Sequence, residues 1–201
     1  MSRALCPNCQ FSPLTCLCND LVAVNNKLKI IILQHPSEVK VTKNTAKLLN
    51  LCLSQCTVIH GESQEDFQFL TDLPTKTTAL LYPNEHAILL DTKDEKVNEL
   101  KTQLTHLIVL DGTWKKAFKI MQLTPKLNDF VSVSFNCIPT NRYHIRKAPR
   151  VDSLSTLEAV AYSLMLVEQQ DPTPLYTVLD ALNHKQTQLM PAHVKARYNK
   201  S

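Results

Sequence analysis

The four residues Leu107-Ile108-Val109-Leu110 have no polar face. Successive side chains of a strand point to opposite faces, so a run of this kind must be covered on both sides. It stops at Asp111, and Gly112, Thr113 and Trp114 follow. Further short apolar runs stand at Lys29–Gln34, 57–60, Thr78–Leu81, 87–90 and 131–135. Between them lie segments of helical character: 38–53 with Ser37 as N-cap, 94–104, and 113–123. A long polar loop at 136–153 leads into a helix at 156–169, and Pro174 opens a C-terminal helix as a first-turn proline. Buried strands alternating with helices specify an α/β fold with a mostly parallel sheet and helices on both faces. Ligands of such sheets bind beyond the carboxyl ends of the strands, which is where Asp111 stands. The alternative for an Asp-Gly pair is a turn that caps the next helix.

Composition narrows the classes. With 44% hydrophobic and 20% charged residues, the chain is ordinary globular material. No apolar stretch reaches the roughly 20 residues of a membrane span, and the N-terminus lacks a signal-peptide core. A soluble, cytoplasmic protein is expected. There are only two glycines, Gly61 and Gly112, so neither a G-x-G-x-x-G fingerprint nor a Walker loop is present. Any nucleotide-like group must be cradled by strand-end loops without glycine.

Four of the seven cysteines crowd the N-terminus as Cys6-x2-Cys9-x6-Cys16-x-Cys18. In a reducing compartment such a cluster means metal ligands rather than disulfides. Four thiolates fill a tetrahedral zinc (Zn) site and leave no open position for catalysis. The C-x-C half is tighter than the usual C-x2-C. Cys52 and Cys56, at i and i+4, read as buried core, and Cys137 carries no assigned role.

The net charge of +4 permits a polyanionic partner, and its distribution says more. Arg142, Arg146, Lys147 and Arg150 crowd the polar loop, with Tyr143 and His144 among them. Cations mixed with an aromatic ring suit phosphate neutralisation and base stacking, which makes this loop a candidate RNA contact. Lys115, Lys116 and Lys119 flank the Asp111 turn and extend the same surface. Lys40, Lys43 and Lys47 share one stripe if 38–53 is helical, which a solvated face explains as well. The basic tail from His184 to Lys200 is a third candidate contact, although Leu189, Met190 and Val194 suggest docking onto the body.

Seven motifs in order now resemble one family. They are the C-x2-C…C-x-C head, Q-H-P-x-E at 34–38, N-T-x-x-L at 44–48, L-L-Y-P at 80–83, D-G-T-W at 111–114, Y-x-x-R-K-x-P at 143–149 and L-S-T-x-E-A at 154–159. The chain resembles the DTW-domain proteins, of the bacterial type. The resemblance implies a tRNA-uridine aminocarboxypropyltransferase that moves the 3-amino-3-carboxypropyl group of S-adenosylmethionine to N3 of uridine and releases methylthioadenosine. It implies a fold related to the knotted SPOUT-type methyltransferases, and a target uridine in the tRNA variable loop. It also divides the chain into a zinc-binding head, 1–24, and a catalytic domain, 25–201. Methyl transfer, as in SPOUT relatives, and a zinc-containing RNA-binding module without catalysis are the alternatives.

Specific roles follow for the site. Asp111 is the candidate general base for the N3 proton, its pKa raised by partial burial. Gly112, Thr113 and Trp114 belong with the cofactor; Trp114 either stacks on a base or anchors the core. Ser155 with Glu158 three residues later is a capping box. The same helix start offers N–H groups to the methionine carboxylate, so Leu154, Ser155, Thr156 and Glu158 join the cofactor set. His35 receives no chemistry. Asn44 and Thr45 either face the site or are solvent-exposed.

Overall fold

The computed structural model describes residues 5–139, 142–143 and 154–191. Six strands form one sheet: β1 Lys29–Gln34, β2 Cys56–His60, β3 Thr78–Leu81, β4 Ile88–Leu89, β5 His106–Asp111 and β6 Val131–Ser134. Their order is β2-β1-β5-β3-β6-β4, and every neighbouring pair is parallel. All carboxyl ends therefore lie along one edge of the sheet. The helices are α1 Ala46–Cys52, α2 Glu95–Gln103, α3 Trp114–Leu123, α4 Thr156–Glu168 and α5 Thr173–Gln188. The expected parallel α/β sheet is present.

Alternation along the apolar strands divides the core into two layers. Ile30, Ile32, Leu107 and Val109 pack with Leu48 and Leu49 of α1, Leu157, Val160 and Leu164 of α4, and Val178 and Leu182 of α5. Ile31, Leu33, Ile108 and Leu80 face the other way, against Ile120 of α3 and Phe67, Leu70, Leu127 and Phe130. Fully burying each such side chain contributes about 1.5–3 kcal/mol, which is why the uniformly apolar runs occupy the sheet centre. The head is tied into the first layer, because Cys9, Phe11 and Leu17 belong to the same buried cluster. Lys47 lies 4.5 Å from the Phe11 ring centre, and Lys185 of α5 donates to the Cys16 carbonyl and the Asp20 carboxylate. Among the described residues, no helix is long and apolar enough to cross a membrane.

The first helix departs from the sequence expectation. It begins at Ala46, not at residue 38, and only a 3-10 turn, Pro36–Glu38, precedes it. Ser37 is not an N-cap; the turn is capped by His35, whose ring accepts from Ser37 N. The β-branched run Val39, Val41 and Thr42 is poor helix material. Asn44 then takes over the backbone, donating to the Glu38 carbonyl at 3.0 Å and accepting from Lys47 N at 3.1 Å. Lys40, Lys43 and Lys47 therefore do not form a helical stripe. Cys52 and Cys56 part company too, one ending α1 and the other opening β2.

Candidate active site and cysteine cluster

Asp111 ends β5 and is 5% exposed. The two-residue period places its side chain with Leu107 and Val109, on the α1–α4 side of the sheet. Gln34 ends β1 in direct register with it and points the same way. Its Nε2 donates to Asp111 Oδ2 at 2.7 Å. Thr156, the first residue of α4, donates its hydroxyl hydrogen to Oδ1. A carboxylate accepts about four hydrogen bonds, so these two fix its plane and leave lone pairs on both oxygens for another donor. Asp111 does not cap the following helix. Thr113 does that, accepting from Lys116 N at 3.4 Å.

The turn after Asp111 is packed tightly. A Cβ on Gly112 would stand 3.0 Å from Lys116 Cβ and 3.6 Å from His35 Cβ, so glycine permits the close approach of β1's end to α3. Lys116 reaches back to the buried Glu38 at 2.7 Å. His35 Nε2 meets Glu62 at 2.9 Å, and Lys119 meets both Glu62 oxygens at 3.0 Å. The Lys119 hydrogen bond, with a smaller contribution from His35, holds Glu62 below the usual carboxylate range. Lys116 is thus committed to an ion pair, while Lys115 is exposed. Thr113 is exposed as well, and Trp114 is 45% exposed, which excludes the core-anchor alternative.

The start of α4 is built differently. The capping box is complete: Ser155 Oγ accepts from Glu158 N at 3.3 Å, and Glu158 Oε2 accepts from Ser155 N at 2.7 Å. Glu158, 1% exposed, also accepts from the backbone N–H groups of Arg142 and Tyr143. Thr45 Oγ1 accepts from Leu157 N at 3.4 Å. Among the described residues, Thr156 N is the first-turn donor left for an incoming anion. Asn44 and Thr45 are buried rather than solvent-exposed. Leu154 is half-buried.

The basic loop is described only in part. Arg142 is exposed, its guanidinium 5.1 Å from the Tyr176 ring centre. Tyr143 is buried and donates its hydroxyl to the Lys43 carbonyl, so its ring is not presented for stacking. Arg146, Lys147 and Arg150 lie outside the described residues, as does the tail beyond residue 191. At residue 189 the leucine is 53% exposed, whereas Met190 packs against the core.

The sulfur atoms of Cys6, Cys9, Cys16 and Cys18 lie within 4.8 Å of one another. Individual separations are 3.5 Å for Cys6–Cys18 and 3.7 Å for both Cys9–Cys16 and Cys6–Cys16. Zn–S bonds of about 2.3 Å in a tetrahedron require S···S edges of about 3.8 Å, so the donor set fits zinc. Backbone N–H groups of Cys9 and Asn8 lower the Cys6 thiol to about 6, while the hydrogen bond to Cys6 pushes its neighbour Cys18 up to about 12, so without a metal the Cys6–Cys18 pair shares one proton that sits on Cys18. Cys56, by contrast, is pushed up to about 12 by burial and stays an inert thiol.

Residues 3–187 match the DTW domain. The chain belongs to the DTW family. It is 30% identical to a Drosophila melanogaster protein named tRNA-uridine aminocarboxypropyltransferase 2, over 98% of this chain and 75% of the relative. A Mus musculus protein of the same name is 28% identical over 84% of this chain, and the DTW chain spans 58% of that relative's length. An Arabidopsis thaliana protein named tRNA-uridine aminocarboxypropyltransferase A is 29% identical over 83% of this chain and 73% of its own length. No solved structure matches.

Two partners of Asp111 are not evident from sequence: Gln34, and Thr156 as a donor to the carboxylate. Both sit inside shared motifs, but the register that joins them to Asp111 spans 77 and 45 residues. A polar residue ending an otherwise apolar strand, as in Gln34, was the available signal.

Proposed function

We propose that this DTW protein transfers the 3-amino-3-carboxypropyl group of S-adenosylmethionine to N3 of a uridine in the tRNA variable loop, releasing methylthioadenosine. The observation that carries the reading is a buried strand-end carboxylate, Asp111, clamped by Gln34 and Thr156, in a chain similar over nearly its whole length to a protein so named. The donor supplies a carbon next to a sulfonium, already activated for displacement. What remains for the chain is positioning and removal of the N3 proton. The open lone pairs of Asp111 accept that proton as the N3–carbon bond forms and the carbon–sulfur bond breaks. Gln34 and Thr156 hold the carboxylate so that its approach is fixed before reaction. Thr156 N and the α4 start receive the carboxylate of the donor's methionine part. Gly112, Thr113, Trp114, Leu154, Ser155 and Glu158 shape the surrounding walls. Arg142, Arg146, Lys147, Arg150 and Lys115 meet tRNA phosphates, whereas Lys116, held by Glu38, does not.

The test uses two preparations of S-adenosylmethionine, labelled in the carboxyl carbon or in the methyl, with unmodified tRNA. Carboxyl label alone in the RNA is expected. Methyl label alone makes the protein a methyltransferase, and label in neither leaves the binding-module alternative.

The four-cysteine head takes zinc as a structural ion that braces Cys9, Phe11 and Leu17 against α1 and α5. Elemental analysis should return about one zinc per chain, and chelation should lower Tm. A metal-free protein with unchanged Tm would remove the ion from the fold.

A further inference from the structure

Helix α3 carries an exposed aromatic row that runs from the wall residue Trp114 to Phe118, which the reaction at Asp111 does not use. Its residues Ala117 and Ile120 face the core, whereas Phe118 is 56% exposed and Trp114 45%. The two aromatics are four residues apart, so they lie on one face, one turn from each other. Trp114 is the first helical residue after the Asp111-Gly112-Thr113 turn, so the row starts at the carboxyl edge of the sheet and runs away from it. Leu123, 43% exposed, closes the far end of the helix.

The charge that α3 itself contributes is one-sided. The helix carries Lys115, Lys116 and Lys119 and no carboxylate. Lys119 shares its charge with Glu62 and Lys116 with Glu38, while Lys115 has no acidic partner among the described residues. The exposed Val39, Lys40 and Val41 follow Glu38, which Lys116 holds against the same helix. Aromatic rings with cations beside them suit a polyanion that also offers flat π-faces, and unpaired nucleotides have both properties. A second copy of the chain fits poorly, because a two-fold contact would bring together Lys115 of both copies, which has no acidic partner among the described residues.

We infer that the Trp114–Phe118 face of α3 is a stacking platform for an unpaired nucleotide next to the target uridine, with Lys115 meeting the backbone phosphate. This deepens the proposed reaction and rests on that reading for its substrate. The platform would hold the single-stranded segment so that one base reaches the carboxyl edge while its neighbour stacks on Phe118. Sequence-tolerant stacking of this kind selects an unpaired loop over a duplex.

The experiment reads equilibrium binding, independent of turnover. Trp114 is the chain's sole tryptophan, so intrinsic fluorescence reports directly on the platform. Unmodified tRNA and a short oligouridine should quench it, and a fully paired RNA duplex should not. Phe118→Ala should weaken Kd for both single-stranded probes roughly ten-fold. Phe118→Tyr should restore it, whereas Phe118→Leu should not, because it keeps the apolar bulk and loses the ring. Tm of each variant separates binding loss from misfolding, and the Tyr variant keeps the test decisive if the Ala variant unfolds. Tight tRNA binding by Phe118→Ala or Phe118→Leu would overturn the platform and leave the proposed reaction standing. A dimer that dissociates in sedimentation when Phe118 becomes alanine would make the face a self-association surface instead. Wild-type protein that binds neither probe would overturn both readings.

Discussion

Helices α3 and α4 both begin at the carboxyl edge of the sheet, and each is capped by a hydroxyl, Thr113 in one and Ser155 in the other. Around Ser155 the side chains form a largely buried, paired network: Glu158 accepts three backbone N–H groups, Thr45 accepts from Leu157 N, and the Thr156 hydroxyl is committed to Asp111, which leaves Thr156 N as the open first-turn donor among the described residues. Around Thr113 the first turn is open, with Thr113, Trp114 and Lys115 all exposed. The difference separates holding from meeting. The α4 start fixes the carboxylate, and the α3 start presents rings and charge to whatever arrives. A buried, fully satisfied polar network is rigid and costly to break, whereas an exposed cap is replaceable by water.

The largest expected effect tests the closed side. Glu158→Ala leaves three backbone donors unsatisfied, at about 1–3 kcal/mol each when buried. A loss of about 3 kcal/mol or more is expected, a large fraction of a typical domain's stability, and thermal unfolding measures it. A shift in Tm near zero would mean that water replaces the carboxylate there, and the α4 start would not be closed at all.

Asp111→Asn separates chemistry from support. Asparagine is isosteric, and both Gln34 and Thr156 can present an acceptor as well as a donor, so the fold should tolerate it. Turnover should fall by about 10²-fold or more, as expected for loss of a general base. Near-normal turnover would reduce Asp111 to a structural strand end and remove the reason for the closed side.

This closed side was only partly legible in the sequence. The strands were, because runs such as Leu107 to Leu110 have no polar face and admit one environment. The capping box was, because Ser155 and Glu158 interact locally. The cysteine cluster was, because its ligands fall within one short segment. What joins Gln34 and Thr156 to Asp111 is the parallel register of β1 with β5 and the docking of α4, and these contacts are nonlocal. The start of α1 is not legible, because helical periodicity in 38–53 says nothing of Asn44 turning back onto Glu38. Tyr143 read as a surface ring among cations, yet its position is set by Glu158 and by the Lys43 carbonyl, both distant in sequence.

The smallest effect is the sharpest for the comparison, because it sets two chemically similar substitutions side by side. Ser155→Ala removes a buried cap and should cost about 1 kcal/mol. Thr113→Ala removes an exposed cap whose 3.4 Å hydrogen bond water can replace, and should cost about 0.5 kcal/mol. In denaturant titrations the buried variant should therefore lose more stability, although both residues cap helices at the same edge. The two should also separate in binding. Thr113 stands in the open turn that leads to the Trp114 face, so its loss should weaken tRNA binding more than its stability change accounts for, while Ser155→Ala should move stability and binding together. If Thr113→Ala costs as much stability as Ser155→Ala, the α3 start is as closed as the α4 start, and the division between holding and meeting fails.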